Sequence, residues 1–323
     1  MKVRLDGRVA LVTGAGRGLG RAHALVLAAR GASVIVNDIG GAPDGSGADA
    51  GPAHDVVTEI KHAGGTGAVD TTDVSDMDGC EALVAQVLDR FGRLDILVNN
   101  AGILRPKAIV TMSEDDWTNV MRVHLDATFA LTHHAAVHWR EAAKRGGPPS
   151  GRLINTTSGS GLFANGQANY ASAKAAIAAF TVVAAAELGR YGVTANAIAP
   201  VAATRLGAGV VPGTHTPDHA AHLVAWLASD DARHVTGRVF NIGGGHISVA
   251  EGWHTGPSAD RDELWTVEEI GPVVSELVAK AAPPTDLLGF YPDDPRPRLD
   301  LRYARAAAGV GATNGAADGG RPS

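Results

Sequence analysis

The amino-acid sequence predicts an α/β fold of the doubly wound class: one parallel sheet with helices on both faces, followed by a C-terminal extension. Three observations carry this prediction. The chain opens as apolar run, glycine turn and helical segment. Short apolar runs then alternate with longer segments whose apolar residues recur at helical spacing, the pattern of stacked βαβ units. Finally, 323 residues at 45% hydrophobic content suffice for one large core of ~250 residues plus a tail.

The elements follow in order. Val9 to Val12 form the first strand, Thr13-Gly-Ala-Gly-Arg-Gly-Leu-Gly20 the turn, and residues 21–30 the first helix. Residues 32–38 form the second strand, ending at Asp38. Residues 40–52, rich in Gly, Ala and Asp, read as a mobile surface insertion. In 76–91, Cys80, Leu83, Val84, Val87, Leu88 and Phe91 fall at helical spacing, with Ser75 as the expected N-cap. Residues 94–98 form a buried strand, 114–140 a long helix, 152–157 a strand and 170–190 another helix. Strands at 193–198 and 238–242 complete the sheet. This divides the chain into a domain at 1–250, an extension at 251–291 holding one helix within 264–281, and a disordered tail at 292–323.

In such a sheet, ligands bind at the carboxyl ends of the strands, and the motifs fall there. The glycine turn between strand and helix is a phosphate cradle: Gly14, Gly18 and Gly20 admit a pyrophosphate, and the free N–H groups of the helix start favour its charge. Asp38 lies about 18 residues beyond Gly20, near the ~20 expected of the acid that holds an adenosine ribose. A carboxylate there accepts from a 2′-hydroxyl and repels a 2′-phosphate, so the cofactor reads as NAD. Arg17 argues mildly the other way, since it could meet a phosphate. Tyr170 and Lys174 stand one helical turn apart on one face. A phenol titrates near ~10, and an ammonium beside it lowers that value toward a usable acid/base.

With Asp73-Val74, Asn99-Asn-Ala-Gly102 and Asn196-Ala-Ile-Ala-Pro200 in the same order, the chain resembles the short-chain dehydrogenase/reductases over roughly residues 5 to 250. Within that family it is most similar to the (3R)-hydroxyacyl-CoA dehydrogenase units of type 2 peroxisomal multifunctional enzymes. Residues 36–41, 99–105, 122–125 and 166–170 carry that likeness. The resemblance implies that Tyr170 exchanges a proton with the substrate oxygen while hydride passes to or from NAD. It implies that Lys174 lowers the phenol's pKa and binds the nicotinamide ribose, and that Ser158 holds the substrate oxygen. Asn99 is expected to support the cofactor and the central strand, Asp73 and Val74 to flank adenine, and Thr204 to meet the nicotinamide amide. Gly14, Arg17, Gly18, Leu19, Gly20, Asp38, Ala101, Gly102 and Pro200 complete the expected cofactor contacts.

Two departures stand out. Most relatives place the serine one position farther from the tyrosine than Ser158, a spacing that Thr157 occupies; Thr157 and Ser160 remain alternatives. Many relatives also carry asparagine where this chain has His124. An imidazole there either supports a water relay from the lysine or is a buried histidine bonded to a backbone carbonyl.

The expected substrate is a small molecule, an acyl-CoA or a hydrophobic alcohol. The resemblance favours a 3-hydroxyacyl-CoA, and Arg105 and Lys107 either meet CoA phosphates or form a solvated loop edge. Two alternatives are a dehydrogenase of free hydroxysteroids or other secondary alcohols, and a non-catalytic NAD-binding sensor or scaffold. A pliable lid is expected over 205–217. The net charge of −6 argues against nucleic acid. No apolar run approaching a membrane span stands out, and no metal-ligand spacing is present. A single cysteine, Cys80, suits the cytoplasm. Relatives associate through the helices matching 114–140 and 170–190, so a homodimer or homotetramer is expected.

Overall fold

The computed structural model describes residues 3–147, 151–163, 167–207, 211, 213–283, 285, 289–291 and 293–294. The disorder expected of 292–323 falls outside them apart from Asp293 and Asp294, as does part of the expected lid, at 208–210 and 212.

The chain runs β1 (Val9–Thr13), α1 (Gly18–Ala29), β2 (Ser33–Asn37), α2 (Gly51–His62), β3 (Thr66–Asp70), α3 (Met77–Phe91) and β4 (Ile96–Asn99). It continues α4 (Glu114–Met121), α5 (Ala127–Lys144), β5 (Arg152–Thr156), α6 (Gly159–Leu162), α7 (Ala168–Leu188) and β6 (Thr194–Pro200). Then come α8 (Pro217–Leu227), β7 (Arg238–Gly243), β8 (His246–Ala250) and α9 (Val267–Lys280). The strands form one eight-stranded sheet in the order β3-β2-β1-β4-β5-β6-β7-β8, in which only β8 is antiparallel to its neighbour. The direction of winding reverses between β1 and β4, which opens a crevice at their carboxyl ends.

Period-two alternation explains why both faces are covered. In β1, Ala10 and Val12 join Ala24 and Leu27 of α1 and Leu223 and Val224 of α8 in one core. Val9 and Leu11 face the opposite way, toward Leu83, Val84 and Val87 of α3 and Leu131, Ala135 and Trp139 of α5. The Trp139 indole is 3% exposed and donates to the Leu94 carbonyl at 2.7 Å, so its one polar group is satisfied inside the core.

Several boundaries differ from the sequence reading. Asp76, not Ser75, caps α3, accepting from the Asp78 N–H, while the Ser75 N–H turns back to Asp73. The long helix at 114–140 is two helices joined by a π turn at Arg122–Asp126. The residues 168–191 are long and apolar enough, with mean hydropathy 1.5 over the best window, to cross a bilayer by length and composition. Ala173, Ile177, Thr181, Ala184 and Ala185 are instead buried in the protein, which reads α7 as a core helix.

The 40–52 segment is not a loose insertion. It folds on itself through Ala42 N–H to Ser46 O (2.7 Å) and Asp49 N–H to Ile39 O (2.9 Å). It is also pinned from outside by Leu104 N–H to Pro43 O (2.8 Å).

Candidate active site

The glycine turn after β1 is shaped by close approach. A Cβ at Gly20 would stand 2.2 Å from the Gly14 carbonyl oxygen, and one at Gly14 2.8 Å from Ala101 Cα. The turn therefore packs directly on the strand end at β4. Thr13 fastens the two: its Oγ1 accepts from the N–H groups of Asn100 (3.0 Å) and Ala101 (3.1 Å). Asn100 Nδ2 returns the bond to Thr13 O at 2.9 Å.

Asp38, at the end of β2, accepts from Gly16 N–H at 2.7 Å and Gly40 N–H at 2.6 Å, one bond per carboxylate oxygen. Each oxygen keeps a further lone pair for a ligand hydroxyl. Gly16 was not among the sequence candidates. A Cβ there would lie 2.8 Å from Asp38 Oδ2, so any larger residue would push the carboxylate away. Arg17 turns toward the 40–52 segment, donating to Gly40 O at 3.3 Å and pairing with Asp49 at 3.5 Å.

A cavity of about 260 Å³ lies outside the carboxyl ends of β1, β2 and β4. Of the expected cofactor residues, Gly14, Arg17, Gly18, Leu19 and Asp38 line it from one side, and Asp73, Val74, Ala101, Gly102 and Thr204 from the others. The 40–52 segment contributes Gly41, Ala42, Pro43 and Gly45 to its wall. Gly20 and Pro200 lie off the lining. Asn99 is also set back: buried at 5% exposure, its Nδ2 donates to Asn155 Oδ1 at 2.9 Å, tying β4 to β5. Asn99 thus supports the central strand, and Asn100 makes the contacts to the glycine turn.

The remaining candidates gather where β5 ends and α7 begins. The Ser158 side chain stands beside the Tyr170 phenol and holds it lower than burial alone would, and Ser158 Oγ accepts from the Ser160 N–H at 3.2 Å. Thr157 is fully committed elsewhere: it is 1% exposed and donates to the Lys174 carbonyl at 2.5 Å. Of the hydroxyls considered, Ser158 is the one at the phenol. Lys174 Nζ lies 5.7 Å from the Tyr170 ring centroid and donates to Thr156 O at 2.6 Å.

The electrostatics differ from the sequence expectation. Burial pushes the Lys174 amine down to about 7. The Tyr170 phenol is raised by the same loss of water, and the Ser158 side chain offsets part of that rise. In the free protein burial outweighs any other influence on the phenol, and the Lys174 amine donates to a backbone carbonyl.

His124 sits in the π turn, buried at 2% exposure, with its ring edge-on to Tyr170 at 5.3 Å between centroids. Its Nε2 lies 2.8 Å from Ile103 O and 3.1 Å from Ile103 N, and Nδ1 has no protein partner. Burial first, and the nearby Lys174 second, push the imidazole down to about 3, so it is neutral at ordinary pH. The backbone-bonded histidine and the free nitrogen needed by a relay are therefore both present in one ring.

Asn169, next to the tyrosine, carries part of the family likeness but was not among the expected site residues. It is fully buried; its Oδ1 accepts from Tyr170 N–H at 2.8 Å. Its Nδ2 donates to the carbonyls of Arg105 (3.1 Å) and Asp116 (2.9 Å). The Arg105 guanidinium in turn donates to Asp44 O at 2.9 Å. Arg105 is thus a brace between the start of α7 and the 40–52 segment.

Comparison with known proteins agrees with this geometry. The short chain dehydrogenase family profile matches residues 8–208. The hydroxyacyl-CoA dehydrogenase ChsB1 of Mycobacterium tuberculosis is 44% identical over 267 residues, covering 77% of this chain and 81% of that protein. The peroxisomal multifunctional enzyme type 2 of Drosophila melanogaster is 41% identical over 259 residues, 79% of this chain but only 40% of that protein. A crystal structure of a short chain dehydrogenase from Mycobacterium avium superposes with a TM-score of 0.80 at 50% identity, covering 90% of this chain and all of the other. The chain therefore belongs to the short-chain dehydrogenase family, and it is an oxidoreductase acting on CH–OH groups.

Proposed function

We propose that this protein oxidises 3-hydroxyacyl-CoA thioesters of fatty or steroid side chains, with NAD as hydride acceptor and Tyr170 as the proton-exchanging group. One observation carries the reading. Ser158 beside the Tyr170 phenol, with Lys174 one turn on, lies at the carboxyl edge of the same sheet whose β1, β2 and β4 ends carry the cavity lined by the expected cofactor residues. Relatives named hydroxyacyl-CoA dehydrogenase and multifunctional enzyme support the thioester.

The residues fit a dinucleotide. The glycine cradle leaves backbone, not side chains, facing the α1 N-terminus, and the bridged Asp38 carboxylate keeps acceptors for ribose hydroxyls. Gly14, Gly18 and Leu19 would hold the pyrophosphate, Asp73 and Val74 the adenine, and Thr204 the nicotinamide side. When bound, NAD supplies the hydride acceptor. The carboxylate at Asp38 favours NAD over NADP by repelling a 2′-phosphate.

Ser158 orients the substrate hydroxyl, Tyr170 in its deprotonated form takes the hydroxyl proton as hydride leaves the carbon, and Lys174, pushed down to about 7, can accept the proton that the phenol must first give up. His124, neutral, offers Nδ1 to a water on that route. The same chemistry run backwards reduces a ketone with protonated Tyr170 as the acid. The unit that carries this activity is residues 1–250, whose sheet ends with β8 at Ala250. Phe129, Val137, Val182 and Val183 on α5 and α7 are large apolar residues left exposed, which supports association of two copies through these helices.

The test is NADH production with a (3R)-hydroxyacyl-CoA, its (3S) epimer and the matching free alcohols. Turnover of a thioester supports the proposal. Turnover of free alcohols alone would keep the mechanism and overturn the substrate, and tight NAD binding with no turnover of any substrate would overturn the catalytic reading.

A further inference from the structure

After β8 the chain leaves the body of the protein. Trp253 and Leu264 are exposed, and α9 has no buried residue. Among the described residues it returns to the body at Phe290. Phe290 is 7% exposed, its ring 5.3 Å from that of His246 and nearly perpendicular to it. The residue before it, Gly289, has φ 83°, and a Cβ there would lie 2.7 Å from Phe163 Cζ. The backbone is therefore laid flat against the Phe163 ring, in a conformation and at a distance that suit glycine alone.

The place of return matters. Phe163 closes the short turn of helix that Ser158 opens, directly after β5. His246 begins β8, directly after the carboxyl end of β7. The Gly289–Phe290 pair thus touches both flanks of the carboxyl edge running from β5 to β7, Gly289 at Phe163 and Phe290 at His246. The cavity lined by the expected cofactor residues occupies the other half of that edge, at β1, β2 and β4. Ser158, directly after β5, and Tyr170, on the first turn of α7, lie toward the β5 end of that edge.

We propose that Phe290, packed on His246 and placed by Gly289 against Phe163, walls the distal end of the substrate crevice and contacts the apolar chain of the substrate. This deepens the thioester reading and rests on it for the identity of the chain's head. A ring in that position rewards a chain long enough to touch it and leaves a short one unaffected, because apolar burial scales with the area removed from water. An anchor with only a structural role would change short and long ligands alike.

The experiment is isothermal titration of the full chain, saturated with NADH, with butanoyl-CoA and dodecanoyl-CoA. Phe290→Ala is expected to weaken dodecanoyl-CoA about 10-fold, the effect of roughly two methylenes of lost burial, and to leave butanoyl-CoA within about two-fold. Phe290→Leu, which keeps an apolar anchor, should recover most of the loss. Equal weakening at both lengths, or none at either, would overturn the proposal. A second arm uses free secondary alcohols of the same two lengths. A length-selective loss confined to the alcohols would discard the thioester and keep the wall.

Discussion

Replacing Asp38 by alanine tests the cofactor assignment at its physical root. The carboxylate accepts from Gly16 N–H at 2.7 Å and from Gly40 N–H at 2.6 Å, so it joins the glycine turn to the 40–52 segment. Hydrogen bonds to a charged group contribute about 1.5–3 kcal/mol net, and a ribose hydroxyl on the same carboxylate falls in that range. Losing the ribose bond alone should raise the Kd for NADH about 10- to 150-fold. A 2′-phosphate feels the opposite effect. Two like charges ~4 Å apart repel by ~4 kcal/mol at an effective dielectric of 20, and alanine removes that repulsion. The two effects act in opposite directions, so the NAD-to-NADP preference should fall by at least about 100-fold. Fluorescence titration with NADH and NADPH reads this without turnover, and kcat/KM for both cofactors reads it again. The reasoning fails if the unaltered protein binds both cofactors equally, or if Asp38→Ala leaves the ratio where it was.

Other perturbations follow from the same geometry. Burial pushes His23 and His124 down to about 3 from 6.5. In the unfolded chain both take up protons below pH ~6.5, and the folded protein does not until pH ~3, so stability is lost as pH falls through that window. The loss is about 1.4 kcal/mol per pH unit per histidine, or about 4 kcal/mol for the pair between pH 7 and pH 5. Urea unfolding across that range measures it, and a slope that His23→Leu leaves unchanged would refute it. Tyr170→Phe should lower kcat ~10²- to 10⁴-fold while NADH affinity holds, since the phenol acts on protons and not on the nucleotide. Arg105→Ala removes the bond to Asp44 O and should weaken NADH several-fold, about 1 kcal/mol for a half-exposed donor, while speeding proteolysis within 40–50. Phe129→Glu should dissociate the oligomer in sedimentation velocity, because it buries an unpaired charge in the expected α5–α7 interface.

The legible parts of the site were those encoded locally. The glycine turn, Asp38 at a strand end, and Tyr170 with Lys174 one helical turn apart each depend on spacing that a short stretch of sequence fixes. What escaped were contacts made by backbone groups far away in the chain. The composition of 40–52 suggests looseness, yet the segment is held by guanidinium groups of Arg17 and Arg105 on its carbonyls, which no side-chain pattern records. Gly16 passes for an ordinary turn residue until Asp38 is brought 2.7 Å from its N–H. Asn169 reads as a polar helix residue, whereas burial makes it the joint between Tyr170, Arg105 and Asp116. The membrane-like hydropathy of α7 is the converse case: its apolar face is demanded by the sheet beneath it.

The titratable groups around Tyr170 share one physical condition, and it fixes the direction in which the site is poised. In water the phenol, at 10.0, would lose its proton before the lysine, at 10.5. In the folded protein burial reverses that order, raising the phenol and pushing the amine down to about 7. His124 is neutral for the same reason. Loss of water thus disfavours the charged form of all three, which lowers the cost of an unpaired buried charge. At neutral pH the phenol carries its proton and can give it to a ketone oxygen without preparation. The reverse reaction needs a proton-poor phenol, which a rise in pH or an added positive charge beside it would supply. Carbonyl reduction should therefore run well near pH 7, whereas alcohol oxidation should climb with pH. A flat oxidation profile between pH 7 and pH 10, with chemistry shown to be rate-limiting, would mean that something other than Tyr170 takes the proton.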